Sequence, residues 1–116
     1  MDDIIQQAAE ACNIAVMQDT DGRYVRSNGE KTFPWNPMHR DADSFFLLVN
    51  LAKRSQFVTM ECKFGEMVIS NESGILAKVP VPVSAARGLQ FHAAREVVTK
   101  GAVEWHQRRK KAIGRS

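Results

Sequence analysis

Two arginines near the C-terminal end of the sequence, Arg87 and Arg95, are spaced for anion binding. On a helix, this spacing is a little over two turns and brings both guanidinium groups onto roughly one face. Guanidinium groups match the geometry of phosphate and carboxylate oxygens. The pair therefore predicts a ligand-binding site for a nucleotide or another anionic metabolite. The alternative, which we favour, is surface ion pairing with Glu96 or with an acidic residue of a strand.

The strongest charge in the chain lies at its C-terminal end. Residues 100–116 carry six basic side chains and one acidic side chain, a net charge of +5, which leaves −2 for residues 1–99 within the total of +3. Such a segment can neutralise nucleic-acid phosphates, contact a partner protein, or only keep the chain soluble. Nucleic-acid binding is not favoured, because the sequence has no helix-turn-helix pattern, zinc-ligand spacing or aromatic RNA-binding motif. The candidate partner-binding residues are Arg108, Arg109, Lys110 and Lys111.

Trp35 is a further candidate partner-binding residue. It lies between Pro34 and Pro37, which fix the local backbone. An aromatic side chain held in this way can anchor a partner protein. The alternative, which we favour, is that Trp35 packs against Phe45 or Phe46 and fixes where the following helix begins.

The acidic residues do not form a recognisable metal site. Asp19 and Asp21 precede Gly22 as in a calcium loop, but the other ligands and the bidentate glutamate at the loop end are absent. Asp41 and Asp43 do not face the same way on a helix. We therefore expect no metal and no cofactor.

Catalytic residues are not apparent either. The histidines His39, His92 and His106 fall in a predicted loop, a predicted helix and the tail. A catalytic histidine needs an orienting partner and a nucleophile or substrate within reach, and nothing in the sequence brings Ser84 or Cys62 near one. We expect that the protein is not an enzyme.

Apolar periodicity and turn residues predict the elements that position these side chains. Three helices are predicted: one following Asp2 and Asp3, one at about residues 41–53, and one that begins at Ser84 and is weakened at Gly101. Strands are predicted at residues 14–17, 23–26, 57–62, 64–70 and 75–83, with tight turns at 21–22 and 28–29 and a rigid connector at 33–37. The apolar stripe of the middle helix comprises Ala42, Phe45, Phe46, Leu48, Val49 and Ala52.

This pattern predicts an α+β fold of order α-β-β-α-β-β-β-α, in which a mainly antiparallel sheet of four to five strands packs with three helices. A length of 116 residues with 44% apolar and 25% charged residues fits one globular domain. We place this domain at residues 1–107. Residues 108–116 form a basic C-terminal tail that we expect to be frayed.

Composition also bears on location. The sequence has no apolar run long enough to span a membrane, and its first residues are acidic where a signal peptide is basic. The two cysteines, Cys12 and Cys62, have no disulfide or metal spacing and are predicted to be small buried apolar groups. We expect a cytoplasmic protein with no membrane partner.

Several short motifs resemble a known group of proteins. These are Trp35-Asn36-Pro37, Asp41-Ala42-Asp43, the helical run 47–51, and an Ala-Arg-rich last helix with Ala86-Arg87 and residues 93–98. They resemble a family of phage and prophage proteins grouped as a phage α-β-α sandwich domain. The resemblance implies origin and fold, and no established activity comes with it.

Two functions remain open at this point. The first is a phage or prophage accessory protein that binds a host or phage protein in the bacterial cytoplasm, with inhibition of a host defence system as one version. The second is a small ligand-binding module for a nucleotide or other anionic metabolite. A homodimer is a further expectation, because the Phe45-Phe46 pair and the segment Ala102-Val103-Trp105 are apolar enough to leave a face uncovered.

Overall fold

The computed structural model describes residues 3–27, 29–63, 65–81 and 87–114, with side chains at 4–27, 29–63, 65–81 and 91–113. Within these ranges the chain forms three helices and two antiparallel three-stranded sheets, which confirms the α+β class. The elements are α1 (Asp3–Ala11), β1 (Val16–Gln18), β2 (Tyr24–Ser27), β3 (Thr32–Pro34), α2 (Asp41–Lys53), β4 (Val58–Lys63), β5 (Glu66–Asn71), β6 (Gly74–Pro80) and α3 (Arg87–Gly114).

The first sheet contains a strand that the sequence did not predict. Residues 33–37 were predicted to be a connector, yet β3 pairs with β2, with Phe33 opposite Arg26 and Pro34 opposite Val25. Pro34 is the last residue of β3, where its missing N–H costs the ladder least. The order is therefore α-β-β-β-α-β-β-β-α, and the strands form two sheets instead of one.

The turn between β1 and β2 lies where the sequence predicts it. Gly22 adopts a φ of +81°, which favours glycine. The Asp19 carboxylate accepts hydrogen bonds from the backbone N–H groups of Asp21 and Arg23, at 2.9 and 3.0 Å. Asp19 thus stabilises a turn, and this accounts for the acidic residues there. The second predicted turn includes Asn28, which lies outside the described residues.

The core lies between α3 and the second sheet, β4-β5-β6. Helix α3 packs on β5 and β6, and both α1 and α2 pack against α3. The predicted weak point at Gly101 does not interrupt the helix, which continues to Gly114. Gly101 is buried against Ile69 and Leu76, so the absence of a side chain there serves close packing. Residues 108–114, expected to be frayed, are the last two turns of α3.

Helix α2 has the predicted bounds but buries a different face. The predicted stripe is largely exposed: Phe45 is 66% exposed and Phe46 39%. The buried face consists of Asp43, Ser44, Leu47 and Leu51. Asp43 explains the orientation, because its carboxylate accepts a hydrogen bond from the Asn36 N–H at 2.9 Å and lies 3.2 Å from Arg40 Nε.

Candidate functional site

Of the two arginines predicted to bind an anion, the structure describes the side chain of Arg95 alone. Arg95 is largely buried; its Nη1 lies 2.7 Å from Asp41 Oδ1, and its Nε donates to the Met38 carbonyl oxygen at 3.1 Å. Arg95 is therefore ion-paired, but its partner is Asp41 of α2 and not Glu96 or a strand residue as predicted. Glu96 instead pairs with Lys100. The side chain of Arg87 lies outside the described residues.

Trp35 is a core residue and not a surface anchor. Its side chain is 1% exposed, and its ring meets that of Phe46 edge-on with centroids 6.4 Å apart. The indole Nε1 donates to the Ile5 carbonyl oxygen at 3.0 Å. Trp35 thus fixes the segment before α2 against α1, as in the favoured interpretation.

The basic C-terminal residues point in different directions, because consecutive residues of a helix are rotated by about 100°. Arg108 pairs with Glu104 at 2.7 Å and donates to Ser73 and to the Ile75 carbonyl oxygen. Arg109 and Lys110 instead line a cavity with Arg54. Lys111 is exposed and lines neither site, so the four residues predicted to act together do not form one surface.

Two of the three histidines come together. The rings of His39 and His92 are 5.7 Å apart, and His39 Nδ1 lies 3.3 Å from Asn36 Oδ1. Ser84, which the sequence did not place near a histidine, lies outside the described residues. Within the described chain, no three His, Cys, Asp or Glu side chains are placed to hold a metal ion.

One feature that the sequence did not predict is an open apolar groove of about 250 Å³ between α2, the N-terminal half of α3 and β4. Phe45 is 66% exposed, Phe91 61% and Met60 37%. The polar part of the groove lining consists of Ser44 and the ion pair between Asp41 and Arg95. We call this surface the apolar groove; its apolar lining is Phe45, Leu48, Met60, Phe91, Ala94 and Val98.

The groove exists because α3 does not cover the whole of the second sheet. Met60, Ile69 and Ala77 form one cross-strand row. Ile69, in the middle strand, is fully buried under Gly101, whereas Met60 lies beyond the helix in β4. Strand β4 pairs with β5 alone among the described strands, so alternate N–H and C=O groups of β4 face outward. An apolar groove and a free strand edge therefore lie side by side.

A second site, the basic cavity, measures about 200 Å³ and lies between the C-terminal ends of α1 and α2 and the last turns of α3. Arg54 Nη1 donates to the Ala11 carbonyl oxygen at 2.6 Å. Burial lowers the pKa of His106, and the charge of Lys110 lowers it further. The residues that line the cavity are Glu10, Asn13, Arg54, His106, Arg109, Lys110 and Ile113.

The cysteines differ from each other. Cys12 is buried, as predicted, and burial raises its pKa to about 11 against the opposing effect of Arg54. Cys62 is exposed in β4, so its predicted burial is wrong. The segment Ala102-Val103-Trp105 was expected to leave an apolar face uncovered. Ala102 and Val103 are instead buried in the core.

Comparison of the chain with protein-family models, curated proteins and solved structures finds no match in any of the three. The resemblance to phage proteins therefore stays a prediction. Among the described residues, no helix is both long and apolar enough to cross a bilayer.

Proposed function

We propose that this protein acts by binding a partner protein and that the apolar groove is its binding surface. The observation that carries the proposal is the position of the groove beside the free edge of β4. The occupant is an extended segment of the partner that adds to β4 as a further strand. Its alternate apolar side chains enter the groove beside Phe45, Met60 and Phe91.

Geometry favours an extended segment over a helix. A strand added at about 4.8 Å from β4 would pair with the outward N–H and C=O groups of that edge. A helix satisfies its backbone groups internally and would leave this edge unpaired. Side chains of an added strand alternate between the two faces of the sheet, so every second residue would point into the groove. Backbone pairing supplies affinity, and the groove selects side chains.

Charge on the edge favours a different protein over a second copy of this chain. Glu61 and Lys63 are exposed on β4 and lie 3.1 Å apart at Oε2 and Nζ. Charged side chains on an edge strand disfavour pairing with an identical edge. A different partner can present complementary charges to the same two residues. If the phage resemblance holds, the partner is a host or phage protein in the bacterial cytoplasm, and a component of host defence is one version.

The test is selection from a displayed library of random peptides against the wild-type chain. We expect the selected peptides to share alternating apolar residues. They should bind Phe45→Asp about tenfold or more weakly than wild type, because Phe45 is a large apolar contact at the groove. Ile75→Asp is the matched control: Ile75 is 49% exposed and pairs with Ser70, the neighbour of the inward-facing Ile69, so it lies on the opposite face of the sheet.

Three results would contradict the proposal. The library could yield no peptide, or its peptides could bind Phe45→Asp as tightly as wild type. Alternatively, light scattering could show a wild-type dimer at micromolar concentration that becomes a monomer in Phe45→Asp. That result would assign the groove to a second copy of this chain.

A further inference from the structure

The basic cavity gathers positive side chains without matching acids. Arg54, Arg109 and Lys110 line it together with His106, and Glu10 is the one carboxylate among the described lining residues. Like charges held close together repel each other. Solvent at the exposed Arg109 and Lys110 and the C-terminal helix ends offset part of this repulsion, and a bound anion would offset more. Three elements contribute: the C-cap of α2 supplies Arg54, and α3 supplies the other basic groups opposite the end of α1.

Carboxylates neutralise several basic side chains elsewhere in the molecule. Pairs of a basic side chain and a carboxylate within 4.0 Å among the described residues include Arg40–Asp43, Lys63–Glu61, Arg95–Asp41, Lys100–Glu96 and Arg108–Glu104. In the part of the chain that the structure describes, Arg54, Arg109 and Lys110 form no ion pair. Their charges therefore remain available to a ligand.

Arg54 is held in place before any ligand arrives. Its Nη1 donates to the carbonyl oxygen of Ala11, the last residue of α1, at 2.6 Å. A guanidinium group has five N–H donors, so the others stay available for an oxyanion. A side chain already fixed by the fold loses less entropy on binding. Arg54 is thus a preorganised donor at the cavity.

An unpartnered donor lies in the adjoining space. Trp105 lines a small pocket of about 10 Å³ together with Arg54, His106 and Arg109. Its buried indole N–H has no hydrogen-bond partner among the described residues. An indole N–H only donates, so the group it lacks is an acceptor, such as an oxyanion or a water molecule bound to one.

We propose that the basic cavity binds a small oxyanion with two negative charges, such as free phosphate or the terminal phosphate of a small metabolite. Its volume of about 200 Å³ is below the roughly 300–1,000 Å³ of pockets for drug-sized ligands. The ligand is therefore a phosphate group with at most a small organic moiety. The site uses none of the lining residues of the apolar groove, so either proposal can fail without the other.

The experiment is an NMR titration of His106 with sodium sulfate and then with inorganic phosphate, on the whole chain. Sulfate keeps its charge across the range in which histidine titrates. Four charged groups act on His106: Glu10, Arg54, Arg109 and Lys110. We expect a bound oxyanion to raise the pKa of His106. Sulfate should correspondingly bind more tightly as the pH falls through the pKa of His106.

Matched variants locate the effect. Lys110→Gln and Arg109→Gln should each weaken sulfate and phosphate binding about tenfold, the usual effect of removing one charge-assisted hydrogen bond. Lys111→Gln removes the same charge from the neighbouring exposed residue and should leave binding unchanged. Glu10→Gln should strengthen binding, because it removes the opposing carboxylate. A small phosphate monoester that binds more tightly than inorganic phosphate would assign the ligand to metabolites, and equal binding would assign it to free phosphate.

Either of two results would overturn the proposal. Sulfate and phosphate could leave the His106 pKa unchanged at millimolar concentration. Lys111→Gln could weaken binding as much as Lys110→Gln, as expected if α3 attracts anions only through its overall charge. If, in addition, an oligonucleotide bound more tightly than phosphate, the ligand of α3 would be nucleic acid.

Discussion

A Cβ atom on Gly101 would lie 2.6 Å from Cγ2 of Ile69. Helix α3 therefore meets the second sheet where neither partner has room for another carbon atom. The contact lies at the centre of the core, since Ile69 and the nearby Val97 are both fully buried. The glycine that weakens the helix pattern is thus what lets the helix approach the sheet.

Gly101→Ala should lower the free energy of unfolding by about 1–3 kcal/mol through overpacking, even though alanine favours helices by about 1 kcal/mol. Urea denaturation measures the change. In an Ile69→Ala background the penalty should largely disappear, because the clashing carbon is gone. An increase in stability for the single variant Gly101→Ala would contradict this packing.

The two tryptophans should respond differently to loss of the indole N–H. Trp35→Phe removes the hydrogen bond to the Ile5 carbonyl oxygen, whereas the N–H of Trp105 has no described partner to lose. We expect Trp35→Phe to cost about 1–2 kcal/mol more than Trp105→Phe. Equal losses in urea denaturation would show that the Trp35 hydrogen bond contributes little.

Asp43 should matter more for stability than Asp41. Asp43 is 2% exposed and accepts the N–H of half-buried Asn36, so Asp43→Ala removes this hydrogen bond and the pair with Arg40 at a cost of about 1–3 kcal/mol. The Asp41 side chain is 83% exposed, and its pair with Arg95 should contribute less than about 1 kcal/mol. Comparable losses for Asp43→Ala and Asp41→Ala would contradict the role given to Asp43 in orienting α2.

The two thiols should differ in reactivity and in their effect at alkaline pH. At neutral pH iodoacetamide should modify exposed Cys62 readily and buried Cys12 only after unfolding.

Burial raises the pKa of Cys12 from 9.0 to about 11, so between these pH values the Cys12 thiol ionises only in the unfolded chain. Stability should therefore fall with rising pH in that window.

A Cys12→Ala variant isolates this effect, because it keeps the other groups that titrate in the same range. The difference in stability between wild type and the variant should be constant below pH 9.0 and decline from there to about 11. A difference that stays constant throughout would show that the Cys12 thiol ionises equally in both states.

Local patterns predicted several elements well. The helix predicted at about residues 41–53 matches α2, and the turn predicted at Asp21-Gly22 lies between β1 and β2. Strand β3 was missed because Phe33 and Pro34 suggest a rigid connector, and only tertiary pairing with β2 makes them a strand. Local propensity carries no information about such a partner.

The apolar groove could not be predicted for a related reason. Helix α2 has apolar residues on most of its surface, so periodicity selected the stripe with Phe45, whereas the buried side holds Leu47. The buried Asp43 decided it through contacts outside the helix. The groove then arises where three elements meet, and no single segment of sequence encodes that meeting.

The most direct test of the proposed function is amide hydrogen exchange with and without a peptide selected by the wild-type chain. If the peptide adds to the free edge, exchange should slow in Val58–Lys63 of β4 and stay unchanged in β6, Gly74–Pro80, at the opposite edge. At a concentration that just saturates wild type, the same peptide should slow exchange much less in Phe45→Asp. Binding that leaves β4 exchange unchanged, or that slows exchange only at the edge formed by β6, would contradict the account.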